Sequence, residues 1–272
     1  MGFDQQKLSV ALNPGREYTY LPFSLHIFDS VASTSQTLWS LLDQGAGTGT
    51  VVIATQQTAG RGQWGRQWIS ATGGLYLSVA IAPKLEANNS YQLTFASAWG
   101  IAAQLQKCGV SVGIKWPNDL VLNGRKLGGI LTETKVHKGQ ITQAVIGVGI
   151  NWANPVPETG INLESWQASQ DTRPISCLEM LTSAVLLGIE SGIECLFQTG
   201  VSTLLSRYAN LLTNMGDTVE VNNLSGTIVG VTPEGNLRVS SKHYDAKALK
   251  TQEFYVEPGT ISLGYRRSSV EL

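Results

Sequence analysis

Apolar positions recur along this chain with two periods, and a change of period marks a change of element. Val51-Val52-Ile53-Ala54 and Leu75–Ile81 are short apolar runs bounded by turn residues, which predicts buried strands, and His26–Asp29 reads as another. Leu38, Trp39, Leu41 and Leu42 follow helical spacing and stop before Gly45. Ser33, followed three residues later by Gln36, fits a capping box at the start of that helix. Ser90–Lys107 reads as an alanine-rich helix closed by Gly109. Leu120–Leu122, Asn123-Gly124 and the return strand Lys126–Val136 give a hairpin with a type I′ turn, and Lys138-Gly139-Gln140 turns the chain again into Ile141–Asn151. Successive hairpins predict an α+β domain whose sheet is rich in antiparallel pairs, with helices segregated to one face.

Beyond the hairpins, Ala153–Pro174 is a proline-rich connection. Ser176 and Glu179 form a second capping-box pattern before an apolar helix to about Phe197, and another helix is expected near Ser202–Leu212. From Met215 the pattern shortens to β-runs at Val219–Val221, Thr227–Val231, Leu237–Val239, Phe254–Val256 and Ile261–Leu263, separated by Gly216-Asp217 and Pro233-Glu234-Gly235-Asn236. That is the pattern of a separate small barrel. The first residues, punctuated by Pro14-Gly15 and Pro22, read as irregular and show no amphipathic helix pair. The expected division is an irregular segment 1–25, a main domain 26–214 and a C-terminal barrel 215–272.

Composition narrows the function classes. With 272 residues, 42% of them hydrophobic, the chain can bury a sizeable core. A formal net charge of −1, and the lack of a helix pair before Ser33, argue against nucleic acid as the main partner. No apolar run is expected to reach the ~18 residues of a membrane helix, and the first residues lack a signal-peptide core. Cys108, Cys177 and Cys195 are widely spaced, as expected for reduced thiols of a cytoplasmic protein. His26, His137 and His243 form no metal-binding pattern, so any metal is expected to arrive with a phosphate ligand.

Candidate chemistry gathers on loops at strand ends. Thr55–Trp68, TQQTAGRGQWGRQW, places Gly60, Gly62 and Gly65 around Arg61 and Arg66, so that bare backbone lies beside guanidinium forks suited to a carboxylate or phosphate. The glycines fit G-x-G-x-x-G, but no helical pattern follows them as a dinucleotide site requires, and no Walker sequence is present. Read on its own residues, the stretch is also compatible with a flexible surface loop. Gly128-Gly129 inside a strand marks a bulge or a close ligand contact. The hydroxyls of Ser33, Thr34 and Ser35 either cap their helix or offer hydrogen bonds to a polar ligand, and composition leaves both open.

Taken together, these stretches resemble the biotin protein ligases. GRGQWGRQW is similar to their G-R-G-R-x-G-R-x-W loop, Lys115–Asp119 is their KWPND motif letter for letter, KLGGIL at Lys126–Leu131 matches K-x-G-G-I-L, and Gly147–Asn151 supplies G-V-G-I-N. The resemblance runs in order from about His26 to Leu263. It implies a class II synthetase-like catalytic domain with a small SH3-like barrel, in a form without the DNA-binding domain that some members carry. It also implies an enzyme that uses ATP and Mg²⁺ to activate biotin as biotinyl-5′-AMP, then acylates a lysine of a biotin carboxyl carrier protein, that of acetyl-CoA carboxylase being the family expectation. A homodimer is compatible with it, and neither nucleic acid nor membrane is expected as a partner.

Carried over residue by residue, the resemblance makes Lys126 and Arg61 catalytic. It assigns biotin to Ser33, Thr34, Ser35, Gln57, Arg61, Gly62, Gln63, Lys126 and Gly129, and ATP to Arg66, Trp68, Lys115, Asn118 and Asn151, with Asp119 as a Mg²⁺ ligand. Two departures stand out. Gln63 occupies a position where the family often has a second arginine, and Gly264 follows Ile261-Ser262-Leu263 where some members carry a basic residue, with Arg266-Arg267 only later. The competing expectations are a biotin-binding regulator without turnover and a related lipoate ligase.

Overall fold

The computed structural model describes residues 3–12, 20–245 and 248–265. Its centre is an eight-stranded mixed sheet. Strands β1 (Ser24–Phe28), β2 (Thr50–Ala54), β3 (Leu75–Ile81), β4 (Leu85–Glu86), β5 (Gly113–Lys115), β6 (Asp119–Leu122), β7 (Arg125–His137) and β8 (Gln140–Ile150) take the order β1-β2-β3-β8-β7-β6-β5, with β4 beside β8. Only β1 and β2 pair in parallel. Asn123 (φ 48°) and Gly124 (φ 69°) are both left-handed, as are Lys138 (φ 49°) and Gly139 (φ 77°), so both two-residue turns have the I′ twist that lets their strands continue pairing.

One face of the sheet carries helices α1 (Gln5–Leu12), α3 (Tyr91–Lys107), α5 (Leu178–Glu194) and α6 (Val201–Ala209) over a single large core. Helix α2 (Thr34–Asp43) is the exception to the one-face expectation. Leu38 and Leu42 pack with Val52, Ala80 and Val145 in a second, small cluster on the opposite face. Alternation along the strands explains the split, because Val51, Ile53, Leu77 and Val79 face the large core while their neighbours face α2.

Several local expectations give way to tertiary contacts. The N-terminal segment is not wholly irregular: α1 buries Leu8 and Leu12, and Glu179 Oε1 accepts the Asp4 N–H at 2.8 Å. Pro14-Gly15 lies outside the described residues. Neither capping box forms. Ser33 caps α2 by backbone position alone, the residue preceding α5 is Cys177, and Glu179 is engaged with Asp4 instead. Leu178–Thr199 is, by length and composition, apolar enough to cross a membrane, contrary to expectation, but 78% of its most apolar window is buried within the fold. It is a core helix. Short helix α4 (Leu163–Ala168) interrupts the proline-rich connection, its Ser165 N–H capped by Asn162.

The C-terminal sheet contains β9 (Thr218–Val221), β10 (Leu224–Val231), β11 (Leu237–Asp245) and β12 (Ala248–Val256), an antiparallel set in the order β12-β11-β10-β9. The expected fifth strand, Ile261–Leu263, does not join it and instead runs back toward the large sheet. Trp116 Nε1 donates to the Gly235 carbonyl at 2.9 Å, joining the two sheets through a buried hydrogen bond.

Helices α3 and α5 cross where Gly100 meets Gly188 and Gly192, with no room between the backbones: a Cβ on Gly100 would overlap the Gly188 carbonyl. Gly100→Val should therefore force the helices apart. Overpacking of this kind costs about 3 kcal/mol, which corresponds to a fall in Tm of roughly 6–12 °C for a domain this size. A calorimetric Tm within a degree of wild type would show that the crossing accommodates a side chain.

Candidate functional site

A cleft of about 1030 Å³, counting the part open to solvent, lies over β7 and β8. Among the described residues it gathers Ser33, Thr34, Ser35, Gln57, Arg61, Gly62, Gln63, Arg66, Trp68, Lys115, Asn118, Asp119, Lys126 and Gly129, all but one of the residues that the resemblance assigned to biotin, ATP or Mg²⁺. The two ends of the cleft differ chemically, and each is built by different elements.

The hydroxyl end lies at the start of α2. Thr34 Oγ1 shares a hydrogen bond of 2.8 Å with Ser78 Oγ on β3, and Ser35 Oγ shares one of 3.0 Å with the same atom. Ser78 is fully buried, so it fixes both hydroxyls without reaching the ligand space itself. Gln57 Oε1 accepts from Thr34 N at 2.8 Å, while its Nε2 donates to Ser70 Oγ at 2.8 Å. The amide orientation is thereby set by both neighbours. Gly147 keeps this end open, since a Cβ there would come within 2.8 Å of Ser35 Oγ.

The glycine loop between β2 and β3 folds back on itself. Gly62 N donates to Arg66 O at 2.7 Å, Trp68 N to Gly60 O at 3.0 Å and Gln57 N to Ser70 O at 3.1 Å. Trp64 takes φ 54° at the tip and Gly65 φ 72°, and the tight reversal presents Arg61 and Arg66 to the cleft. Arg61 Nη2 pairs with Glu133 Oε2 on β7 at 2.8 Å, but its Nε is buried with no partner. Trp68 Nε1 and Gln63 Oε1 are likewise buried and unpaired. Unpaired buried polar atoms are costly, so three at one cleft are candidate points of contact for a ligand or water.

The cationic end is assembled by the turn before β6 and by a bulge in β7. Val121 pairs with Lys126 but Leu120 with Gly128, which leaves Leu127 as the extra residue. A bulge re-aims the neighbouring side chain, and Lys126 Nζ reaches Asp119 Oδ1 at 2.6 Å while lying 5.1 Å from the Trp68 ring centroid. Lys115 Nζ lies 3.7 Å from Asp119 Oδ2. Burial pulls the pKa of Lys115 below its usual value, with Asp119 opposing that shift and Lys126 adding to it. Asn118 contributes chiefly by structure: its Nδ2 donates to Ile130 O at 2.8 Å, and Ile130 N donates back to Asn118 O at 3.1 Å, tying the turn to β7.

Two expectations change on this geometry. Asn151 is not part of the cleft wall. Its N–H donates to Leu127 O at 2.8 Å, its Nδ2 to Lys126 O at 3.3 Å, and its Oδ1 accepts from Asn154, so it braces the bulge from behind. Asp119, expected as a Mg²⁺ ligand, is engaged here as a counter-ion. Lys126 occupies one oxygen, Lys115 and the Tyr265 hydroxyl share the other, and among the described residues no group of three or more His, Cys, Asp or Glu could hold a metal. The donor set builds no Mg²⁺ site of protein groups alone, and Asp119 is the one carboxylate among the described cleft residues that a phosphate-borne Mg²⁺ could share.

The sequence reading missed Trp64 and the C-terminal residues Gly259, Ile261, Ser262 and Leu263 that also border the cleft, and Ser78 and Glu133, which hold Thr34 and Arg61 from behind it. Ser78 and Glu133 could have been found, because each sits in a predicted strand at a position whose neighbours face a candidate loop. Arg266-Arg267 lie outside the described residues.

Comparison with known proteins agrees with this architecture. Residues 27–151 match the model of the Biotin/lipoate A/B protein ligase family. The bifunctional ligase/repressor BirA of Bacillus subtilis (strain 168) is 38% identical over 125 residues, covering 45% of this chain and 38% of that protein. The biotin--[acetyl-CoA-carboxylase] ligase of Paracoccus denitrificans is 36% identical over 112 residues, covering 40% of this chain and 46% of that one. The chain thus spans about half, or less, of the length of these curated relatives. The structure of the biotin protein ligase from Aquifex aeolicus in complex with biotin and ATP superposes with a TM-score of 0.69 at 23% identity, covering 89% of this chain and 99% of that one, which establishes the shared fold.

The indole of Trp68 lies directly on β8, and a Cβ on Gly149 would come within 2.5 Å of its Nε1. Gly149→Ala should swing the ring off the strand, at a cost of about 1–3 kcal/mol. The expected readout is a changed near-UV circular dichroism signal with the far-UV spectrum retained. An unchanged near-UV signal would mean that the ring is not seated on Gly149.

Proposed function

We propose that this chain, which through residues 27–151 carries a domain of the biotin/lipoate A/B protein ligase family, activates biotin with ATP and transfers it to a carrier-protein lysine. The single observation that carries the reading is the two-ended cleft, in which hydrogen-bonding hydroxyls and an amide face one end and four cations the other. Biotin's ureido ring both donates and accepts hydrogen bonds, a need that Ser33, Thr34, Ser35 and Gln57 can meet. The dithiolane of lipoate makes no such bonds and would leave buried polar groups unpaired, which favours biotin within a family named for both.

In the first step a carboxylate oxygen of biotin attacks the α-phosphorus of ATP. The new P–O bond forms as the bond to the β-phosphate breaks, and pyrophosphate leaves with the electron pair. Two anions have to meet, so cations must be in place before the charge accumulates. Lys126 is assigned to the junction of carboxylate and α-phosphate, with Arg61 beside it. Lys115 and Arg66 serve the phosphates, and the Trp68 face serves the base, where stacking contributes on the order of 1 kcal/mol. Arg61 Nε, buried and without a partner, is a donor that a bound carboxylate or phosphate would satisfy. In the second step an uncharged carrier lysine attacks the acyl carbon, AMP leaves with the bonding electrons, and the amine proton passes to solvent. Relatives bearing ligase names support this reading, and the carrier of a biotin-dependent carboxylase is the acceptor it implies.

Biotin-dependent exchange of labelled pyrophosphate into ATP tests the first step, and transfer of labelled biotin to a carrier domain tests the second. Lys126→Ala should lower the exchange rate by roughly 10²–10³ while biotin binding falls less. Exchange within threefold of wild type would remove Lys126 from the mechanism. Exchange driven by lipoate and not by biotin would replace the reading with lipoate activation.

A further inference from the structure

After β12 the chain returns across the cleft, and its contacts there are more specific than a connecting segment needs. Gly259 lies against the Trp64 indole, where a Cβ would come within 2.8 Å of Nε1. Ile261, Ser262 and Leu263 form part of the wall. Tyr265 then places its hydroxyl 2.5 Å from Asp119 Oδ2, as donor, and its ring centroid 3.8 Å from Lys115 Nζ. One side chain of the C-terminal segment thus touches both the carboxylate and one of the ammonium groups it balances. Neither contact brings a formal charge.

We propose that Tyr265 is a positioning residue for the phosphate-binding end of the cleft, acting through Asp119 and Lys115. The inference deepens the proposed function and rests on it in taking ATP as the bound anion. Asp119 already holds Lys126 at 2.6 Å through Oδ1. Its Oδ2 already pairs loosely with Lys115 at 3.7 Å, and a closer contact there would turn more of the charge of Lys115 toward the protein instead of the ligand. A phenol satisfies Oδ2 without adding charge. The phenol stays protonated, since burial and the adjacent carboxylate both raise its pKa. An aromatic face likewise supports a largely desolvated ammonium without neutralising it. Lys115 therefore keeps positive potential directed into the cleft, and the segment after β12 acts on the charges of the site through Tyr265.

Two substitutions in the full chain separate the contacts. Tyr265→Phe removes the hydroxyl and keeps the ring, whereas Tyr265→Leu removes both. Titration calorimetry with ATP alone and with biotin alone should show ATP binding weakened about threefold to tenfold in the phenylalanine variant. The leucine variant should be weakened further, by roughly tenfold to thirtyfold. Biotin affinity should stay within about twofold of wild type in both, since the hydroxyl end does not touch Tyr265. Equal losses for ATP and biotin would mean that Tyr265 serves general packing, and unchanged ATP affinity in the leucine variant would mean that it serves nothing at this site. Either result overturns the proposal. Wild-type protein that binds ATP but not biotin would sink the proposed function, while the ATP ratios would still decide the role of Tyr265. Wild-type protein that binds no ATP would overturn both.

Discussion

Four cations cannot be gathered over a sheet unless something opposes their repulsion. Two unit charges 4 Å apart repel by about 4 kcal/mol at the effective dielectric of a protein surface, and Lys115 has little water to screen it. Asp119 is the main answer in this structure, a single buried carboxylate shared by two ammonium groups. Glu133 does the same for Arg61 at the other side of the cleft. With two carboxylates against Arg61, Arg66, Lys115 and Lys126, the cleft stays net positive yet stable enough to form. Breaking such a pair would leave an uncompensated charge, which is why the surrounding fold must hold Asp119 firmly.

The hold on Asp119 comes from backbone and neighbouring elements. Asp119 opens β6 opposite Gly129, and the preceding turn is fixed on three sides. Trp116 bonds to Gly235 of the C-terminal sheet, the Tyr208 hydroxyl donates to Pro117 O at 2.9 Å from α6, and Asn118 ties back to Ile130. The β7 bulge then brings Lys126 to the same carboxylate, with Asn151 bracing the bulge from the far side. Glycines let the walls come close. Gly128 abuts the Gly149 carbonyl, and Gly129 leaves open floor between Asp119 and Lys126. The charged cluster is thus as much a product of sheet geometry as of side-chain choice.

What was legible in the sequence was whatever local chemistry decides. Asn123-Gly124 could be read as a turn because left-handed backbone selects those residues, and α3 because its apolar residues and closing Gly109 signal a helix locally. What was illegible depends on distant contacts. Helix α1 shows only Leu8 and Leu12 as buried anchors, and its first turn is held by Glu179, far away in sequence. The same contact explains the failed capping box, because Glu179 cannot serve both α1 and its own helix. The serine that begins the other box, Ser33, is buried in the cleft wall and makes no side-chain cap, so the capping half of the hydroxyl pattern does not form. Asn151, expected as a ligand contact from the motif around it, is engaged by Lys126 and Asn154 behind the bulge, which spacing alone does not show. Nothing in the spacing of Tyr265 pointed to Asp119, since the link closes only when the two sheets dock.

The two ends of the cleft differ in how complete they are without a ligand. At the hydroxyl end, Ser35, Ser78, Thr34, Gln57 and Ser70 form one connected network that finishes on the Trp68 carbonyl, so those groups are oriented in advance. At the loop end, Arg61 Nε, Gln63 Oε1 and Trp68 Nε1 have no partners. Preorganised groups gain affinity by avoiding ordering costs, whereas orphaned groups gain it by escaping a desolvation penalty. Gln63 sharpens the contrast, because it offers a buried neutral acceptor where the resembling family often places an arginine. That acceptor cannot bond a phosphate or carboxylate oxygen, so Oε1 has to be satisfied by a donor; Nε2 can donate but without charge, and charge-assisted retention of an anionic ligand falls to Arg61, Arg66 and the lysines. Since Trp68 belongs to both the finished network and the unfinished loop, a ligand that seats against the hydroxyls meets a backbone already fixed beneath the indole. The remaining free-energy gain is then concentrated where charge has to be held.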